Sequence, residues 1–305
     1  MDFLISPDSP ILASDDLIAL APYAKHLGKA PKKTHHTLPN GQHQRQVKGH
    51  GIEMLELRQY QMHDELRHID WRVTARTGEA HTRIYAQESE NKRLLILDIS
   101  GLGYFGTQHT FISTRMVQVA CIIAWRTQIK KDNLGYCLSY GAQTYQRSAT
   151  HNKKSFSLLM SQLADATNLD NRDTPISTEA WELLHHSKSI KQQNIIILSD
   201  RLDLPSTSIN RLSKLAKHNH IHWINIIDEN AQKLPKGQYL MEDKDGVKWL
   251  SVSKKSQHRL KEQSEQRNAL LKKQLNSFGM TLHSYNLSES PITIARNLLT
   301  LGVIN

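Results

Sequence analysis

Three apolar runs constrain this chain more than any other feature: RLLILDIS at 93–100, NIIILSD at 194–200 and HIHWINIID at 220–228. The first two are apolar at consecutive positions, not at alternate ones. A strand written this way is buried on both faces, as in a parallel sheet covered by helices. The third run reads as another buried strand. Helical segments alternate with these runs. HTFISTRMVQVACIIAWRTQIKK at 109–131 is apolar around most of its circumference and predicts a long, largely buried helix. KKSFSLLMSQLADA, STEAWELLHHSK and STSINRLSKLAKHN are helical by period, and SPITIARNLLTLG starts a last helix at a Ser-Pro signal. The order predicts an open α/β sheet with helices on both faces.

Shorter elements fill the remainder. NLGYCLSYG and QTYQRSAT read as two short strands, QYLMEDKDGVKWLSV as a hairpin around Asp245-Gly246, and MTLHSYNL as a final strand. SKKSQHRLKEQSEQRNALLKKQLNSFG predicts a long basic helix capped by Gly279. Near the start, a helix is expected from Ser14, with Asp15 and Asp16 in its first turn. Residues 28–51 are polar and predict loop or extended chain.

Ligands of open α/β sheets bind at the carboxyl ends of the strands. There the chain places Asp98 with Ser100, and Asp200 preceded by Ser199. Carboxylates and hydroxyls are hard oxygen ligands, suited to Mg²⁺ or Ca²⁺. The arrangement is similar to that of von Willebrand factor A domains, which use Asp-x-Ser-x-Ser after the first strand, a Thr from a middle loop and an Asp after a later strand. By that resemblance the metal ligands are Asp98, Ser100, Thr174 and Asp200. Leu102 stands at the second Ser position and cannot ligate. The same acids also suit a purely structural role, accepting hydrogen bonds from backbone amides at the sheet edge.

The stretch YQMHDELRHIDWRVTARTG at 60–78 alternates acids with arginines. With its flanks it resembles the signature of the domain of unknown function 58 family: Arg-x-Tyr, then Gly-Asp-x-x-Arg-x-Ile-Asp-Trp, then Ala-Arg, then an acidic stretch before a strand ending in Asp-x-Ser. The matching residues are Arg58, Tyr60, Asp64, Arg67, Ile69, Asp70, Trp71, Ala75, Arg76 and Glu88, and Tyr104–Gly106 fits the stretch after the Asp-x-Ser loop. His63 replaces the usual Gly. The specific match runs from about residue 41 to residue 106.

The resemblance implies a three-layer α/β sandwich of von Willebrand factor A type, with a mostly parallel central sheet and an N-terminal strand and loop insert. It divides the chain into a leader at 1–40, a signature insert at 41–90 and the von Willebrand factor A-like domain at 91–305. It also implies a non-enzymatic adaptor or assembly factor acting with a MoxR-type AAA+ ATPase. Arginine pairs with carboxylates in bidentate fashion and stacks on indole. Asp64, Arg67, Asp70, Trp71 and Arg76 are therefore expected to form a network that clamps the insert onto the sheet, or else to face a partner.

Two rival functions follow from other features. A metal-dependent hydrolase would use Asp98, Asp200 and nearby histidines to activate water. The chain contains no His-Glu-x-x-His, Gly-x-Ser-x-Gly or Gly-x-x-x-x-Gly-Lys motif. The histidine pairs 35–36 and 185–186 lie in loop or helix-end sequence. Nucleic-acid binding is the other reading, because 39 basic against 29 acidic residues give a net charge of +10. The basic helix at 253–276 carries Lys254, Lys255, Arg259, Lys261, Arg267, Lys272 and Lys273. Glu262 and Glu265 interrupt it and no aromatic residues interleave, so a solvated face is expected instead. No segment approaches the roughly 18 apolar residues of a membrane helix. The start has no basic flank, and Cys121 and Cys137 lie inside apolar segments as buried thiols. A soluble, cytoplasmic protein is the expectation.

Overall fold

The computed structural model describes residues 9–29, 54–62, 64–85, 92–107, 109–174, 179–186, 190–233, 235, 237–243 and 246–304. In chain order the helices and strands are α1 (Ser14–Ile18), α2 (Ala21–His26), β1 (Met54–Gln59), α3 (Trp71–Thr77), β2 (His81–Tyr85), β3 (Lys92–Ile99), α4 (Ile112–Ile129), β4 (Asn133–Tyr140), β5 (Gln143–Thr150) and α5 (Lys153–Asp165). They continue with β6 (Asn194–Ser199), α6 (Ser206–Ala216), β7 (His220–Ile227), β8 (Gly237–Asp243), β9 (Gly246–Val252), α7 (Lys254–Ser277), β10 (Thr281–Asn286) and α8 (Pro291–Thr300). The chain divides into two compact units, one of Met1–Pro31 with Asn91–Asn305 and the other of Lys32–Glu90.

The larger unit is built on a six-stranded sheet in the order β10-β7-β6-β3-β4-β5. All its pairings are parallel except that of β4 with β5. Strands β3, β6 and β7 are the three apolar runs of the sequence. Because side chains alternate across a strand, each run feeds two cores at once. Leu95, Leu97, Ile196, Leu198, Ile224 and Ile226 join one core with residues of α1, α2, α4, α5 and α8. Leu94, Ile96, Ile195, Ile197, Ile221 and Trp223 join the other with Trp181, Leu212, Leu271 and Leu275. This is the three-layer α/β sandwich expected. Burying one such aliphatic side chain contributes about 1.5–3 kcal/mol, so two-faced strands concentrate stability at the centre of the sheet.

Two local expectations are corrected. The leader drawn at 1–40 is not a separate piece: α1 and α2 bury Leu17, Leu20 and Ala24 in the first core. Trp125 Nε1 donates to the Leu17 carbonyl at 3.0 Å and Arg126 Nη1 to that of Ala24 at 3.2 Å. The helices are too short to reveal from sequence what they cover. The polar loop expected at 28–51 lies almost wholly outside the described residues. The segment expected to be helical around Trp181 is a 3-10 helix, Ala180–His186, not an α-helix. β8 and β9 pair antiparallel, as the expected hairpin requires, and Asp245 of its turn lies outside the described residues.

The smaller unit pairs β1 with β2 antiparallel, with α3 between them in sequence. Asp70 caps α3, accepting from the amides of Arg72 and Val73, and Gly78 closes it at φ 79°. The left-handed backbone at Gly78 favours a residue without a Cβ.

Candidate functional site

The carboxyl ends of β3, β6 and β7 meet at one edge of the main sheet, and each has an acid next to its last residue: Asp98, Asp200 and Asp228. Asp98 is fully buried. Its Oδ1 accepts from the Ala180 amide at 3.1 Å. Its Oδ2 accepts from Ser199 Oγ at 3.3 Å and from Arg201 Nε at 2.6 Å. Burial pushes the Asp98 carboxyl up to about 6, against the opposing pull of Arg201 and the Ala180 amide. Arg201 also approaches Glu179, with Nη1 at 3.8 Å from Oε1. The other Glu179 oxygen accepts from the hydroxyl of Ser208 on α6, which is itself buried.

Asp200 is engaged by the loop after β3. Its Oδ1 accepts from the Ser100 amide at 2.9 Å, and its Oδ2 accepts from the Ser100 hydroxyl. Burial raises its carboxyl too, against those hydrogen bonds. The loop lies close because residue 103 is glycine: a Cβ there would sit 3.0 Å from Asp200 Oδ2 and 2.9 Å from Ile99. Asp228, at the end of β7, accepts from the amide and hydroxyl of Thr107 at 2.6 and 2.9 Å and from the Asn230 amide at 3.0 Å. Gly106, in the family's Tyr-Phe-Gly stretch, allows a backbone approach in which a Cβ would meet the Thr110 carbonyl at 2.2 Å.

The structure thus brings Asp98, Ser100 and Asp200 to one edge. Thr174 is engaged elsewhere, donating from Oγ1 to the Asp170 carbonyl at 3.2 Å. Among the described residues no group of three or more His, Cys, Asp or Glu is placed to hold a metal ion. The donor set does not suit a divalent cation: Arg201 sets a positive charge 2.6 Å from one Asp98 oxygen, and Leu102 offers no ligand. Sequence reasoning missed Arg201 and Glu179. The available signal was the Asp200-Arg201 dipeptide, an acid followed by a cation at a buried strand end.

Beside this edge a cavity of about 320 Å³ opens between the strand ends and α7. Leu102, Phe105, Leu202 and Ile226 supply apolar wall, and Arg267 lies on the α7 side. Leu102 is 81% exposed and Phe105 is also exposed.

The signature residues fall in the smaller unit. Asp64 Oδ1 accepts from Arg58 Nη2 at 2.7 Å, and its Oδ2 from the Gln61 amide at 2.8 Å. Arg67 Nε pairs with Glu65 at 2.5 Å in an exposed contact. Asp70 pairs with Arg83 at 2.9 Å, in addition to capping α3. Its carboxyl is held below the usual range by the Val73 amide and Arg83. The Tyr60 amide donates to the Ala80 carbonyl at 2.8 Å and Ile69 bridges to Thr82, tying the loop to β2. The expected network is therefore drawn differently. Asp70 takes Arg83, which the signature reading did not include, while Trp71 is 69% exposed and Arg76 is exposed in the last turn of α3. His63 and Glu88 lie outside the described residues.

On α7 three basic side chains lie near acids: His258 is 3.2 Å from Glu262, Lys261 3.8 Å from Glu265 and Arg267 3.9 Å from Asp203. Leu271 and Leu275 on the same helix are buried in the second core. These contacts fit the solvated face expected of this helix. No helix among the described residues is long and apolar enough to cross a membrane.

Fold and edge together define a three-layer α/β protein with a six-stranded, mostly parallel sheet and acids at its strand ends. The chain belongs to the family described as protein of unknown function DUF58, whose model matches residues 56–271. It is 24% identical over 244 residues to the uncharacterized protein Rv1480 of Mycobacterium tuberculosis, covering 79% of this chain and 75% of the relative. The same figures hold for the uncharacterized protein Mb1516 of Mycobacterium bovis. Similar solved structures include an aerotolerance-related membrane protein from Bacteroides fragilis, at 9% identity and a TM-score of 0.40, covering 70% of this chain and 98% of that one. The von Willebrand factor A domain of SpRpn10 is 14% identical at a TM-score of 0.33, covering 68% of this chain and 94% of that one. A von Willebrand factor type A protein from Catenulispora acidiphila is 12% identical at a TM-score of 0.35, covering 71% and 43%.

Proposed function

We propose that this protein is a non-enzymatic adaptor whose partner is a MoxR-type AAA+ ATPase, engaged at the carboxyl edge of the main sheet. The observation that carries the reading is the exposed apolar pair Leu102 and Phe105 beside the 320 Å³ cavity. Large apolar side chains exposed around a concavity mark interaction sites more often than isolated ones do. The occupant is an aliphatic side chain of the ATPase. The apolar wall of Leu102, Phe105, Leu202 and Ile226 takes it. The acids at the edge support binding over catalysis, since Asp98, Asp200 and Asp228 each accept several hydrogen bonds from the protein itself. The ATPase as the particular partner rests on the family resemblance.

The test is co-elution and calorimetric titration of the chain with a MoxR-type ATPase from the same organism. Leu102→Asp is expected to abolish binding while leaving the melting temperature unchanged, because Leu102 is exposed. Binding that survives Leu102→Asp and Phe105→Ser would remove this edge as the docking surface.

A further inference from the structure

Asp98 is surrounded as a metal ligand would be, yet the charge beside it is a guanidinium. Arg201 Nε lies 2.6 Å from Asp98 Oδ2, and Nη1 of the same group lies 3.8 Å from Glu179 Oε1. Glu179 is in turn held by Ser208 of α6, so the arginine is fixed between two anchored carboxylates. A hard divalent cation on Asp98 would need that oxygen at about 2.0–2.6 Å and several more oxygens around it. The guanidinium nitrogen already stands at that range, and arginine does not give up its proton in proteins. Each oxygen of Asp200 accepts one hydrogen bond from Ser100.

We infer that Arg201 is the resident cation of this sheet edge: a covalently attached positive charge takes the place of a divalent metal, so that the edge keeps its shape without one. Asp98 and Glu179 are then held by one guanidinium, and Asp200 by Ser100. Partner binding here, on the reading proposed above, is insensitive to chelation.

The experiment is thermal unfolding of the full chain alone, in EDTA and in millimolar Mg²⁺, Mn²⁺ or Ca²⁺, so its outcome does not depend on the partner. A ligand that binds only the folded state raises the melting temperature with its concentration. Wild type is expected to show no shift. Arg201→Ala is expected to melt lower than wild type, in EDTA and in metal alike. Arg201→Lys keeps the charge and is expected to stay insensitive to metal. A saturable rise in wild type that Asp98→Asn loses would overturn the inference, as would an Arg201→Ala chain that melts where wild type does. If Arg201→Ala does not fold, wild type and Arg201→Lys decide by themselves: insensitivity of both supports the inference, and a saturable rise in either overturns it.

Discussion

Asp70 and Asp98 each close an ion pair with an arginine, at 2.9 and 2.6 Å, yet their carboxyls are shifted in opposite directions. Asp70, in the smaller unit, is held below the usual range chiefly by the Val73 amide and by Arg83. Its arginine is 44% exposed and keeps much of its hydration. Asp98, in the main sheet, is raised to about 6 because burial outweighs Arg201 and the amide of Ala180. The same pair of groups is therefore a helix cap with a surface partner in one unit and a desolvated ion pair in the other. A buried pair adds little stability over an apolar replacement, but breaking it leaves a charge uncompensated. A half-exposed pair loses less, because water replaces the missing partner.

The largest expected effect is on the buried pair. Asp98→Ala should lower the unfolding free energy by about 3 kcal/mol, read by urea denaturation at neutral pH. The value sits at the low end for buried pairs because Arg201, 23% exposed, can recover some solvent. A loss below about 1 kcal/mol would show that the pair is hydrated and would erase the contrast.

Next in size is the dependence on pH, which should run in opposite directions for the two acids. Asp98 has a folded value near 6, above its ordinary 3.8. The proton-linked part of its contribution is complete below about 3.8 and is lost as pH rises through about 6. Asp70, shifted down, contributes above its ordinary 3.8 and loses that contribution as pH falls through its folded value. The difference in unfolding free energy between wild type and Asp98→Asn, followed from pH 4 to 8 (roughly the window of these shifts), checks the first. The same difference for Asp70→Asn at lower pH checks the second. Parallel slopes would break the comparison.

Asp70→Ala should lower the melting temperature by less than Asp98→Ala does, and Asp70→Asn should restore part of the loss by keeping the cap on Arg72 and Val73. Equal losses for Ala and Asn would assign the effect to the Arg83 pair instead of the cap. Arg76→Ala should change stability by no more than about 0.5 kcal/mol, as expected of an exposed position away from such features. A larger effect would restore Arg76 to the clamp that the family signature implied.

The sheet was legible because consecutive apolar residues at 94–97 and 195–198 have no comfortable place except between two layers. The long helix α4 was legible for the same reason. The acids at the strand ends were legible too, since a strand that finishes in Asp at a sheet edge announces itself by position. Their partners were not. Arg201 escapes notice although it adjoins Asp200, and Arg83 although it follows the signature closely in sequence. A charge in sequence carries no sign of whether it will meet water or a carboxylate. Ala180 contributes only a backbone amide, which no side-chain pattern reveals.

What the sequence determined by itself, then, is the layered α/β architecture, the family, and the placing of Asp98, Ser100 and Asp200 at one edge. These follow from hydrophobic periodicity and local spacing, which depend on neighbours a few residues away. Tertiary structure decided what those acids do. Arg201 lies 103 positions from Asp98 and Ala180 lies 82 away, and only the packing of β6 and the 3-10 helix against β3 sets them within hydrogen-bond reach. An ion pair at 2.6 Å is a property of the folded chain, not of either residue's place in the sequence.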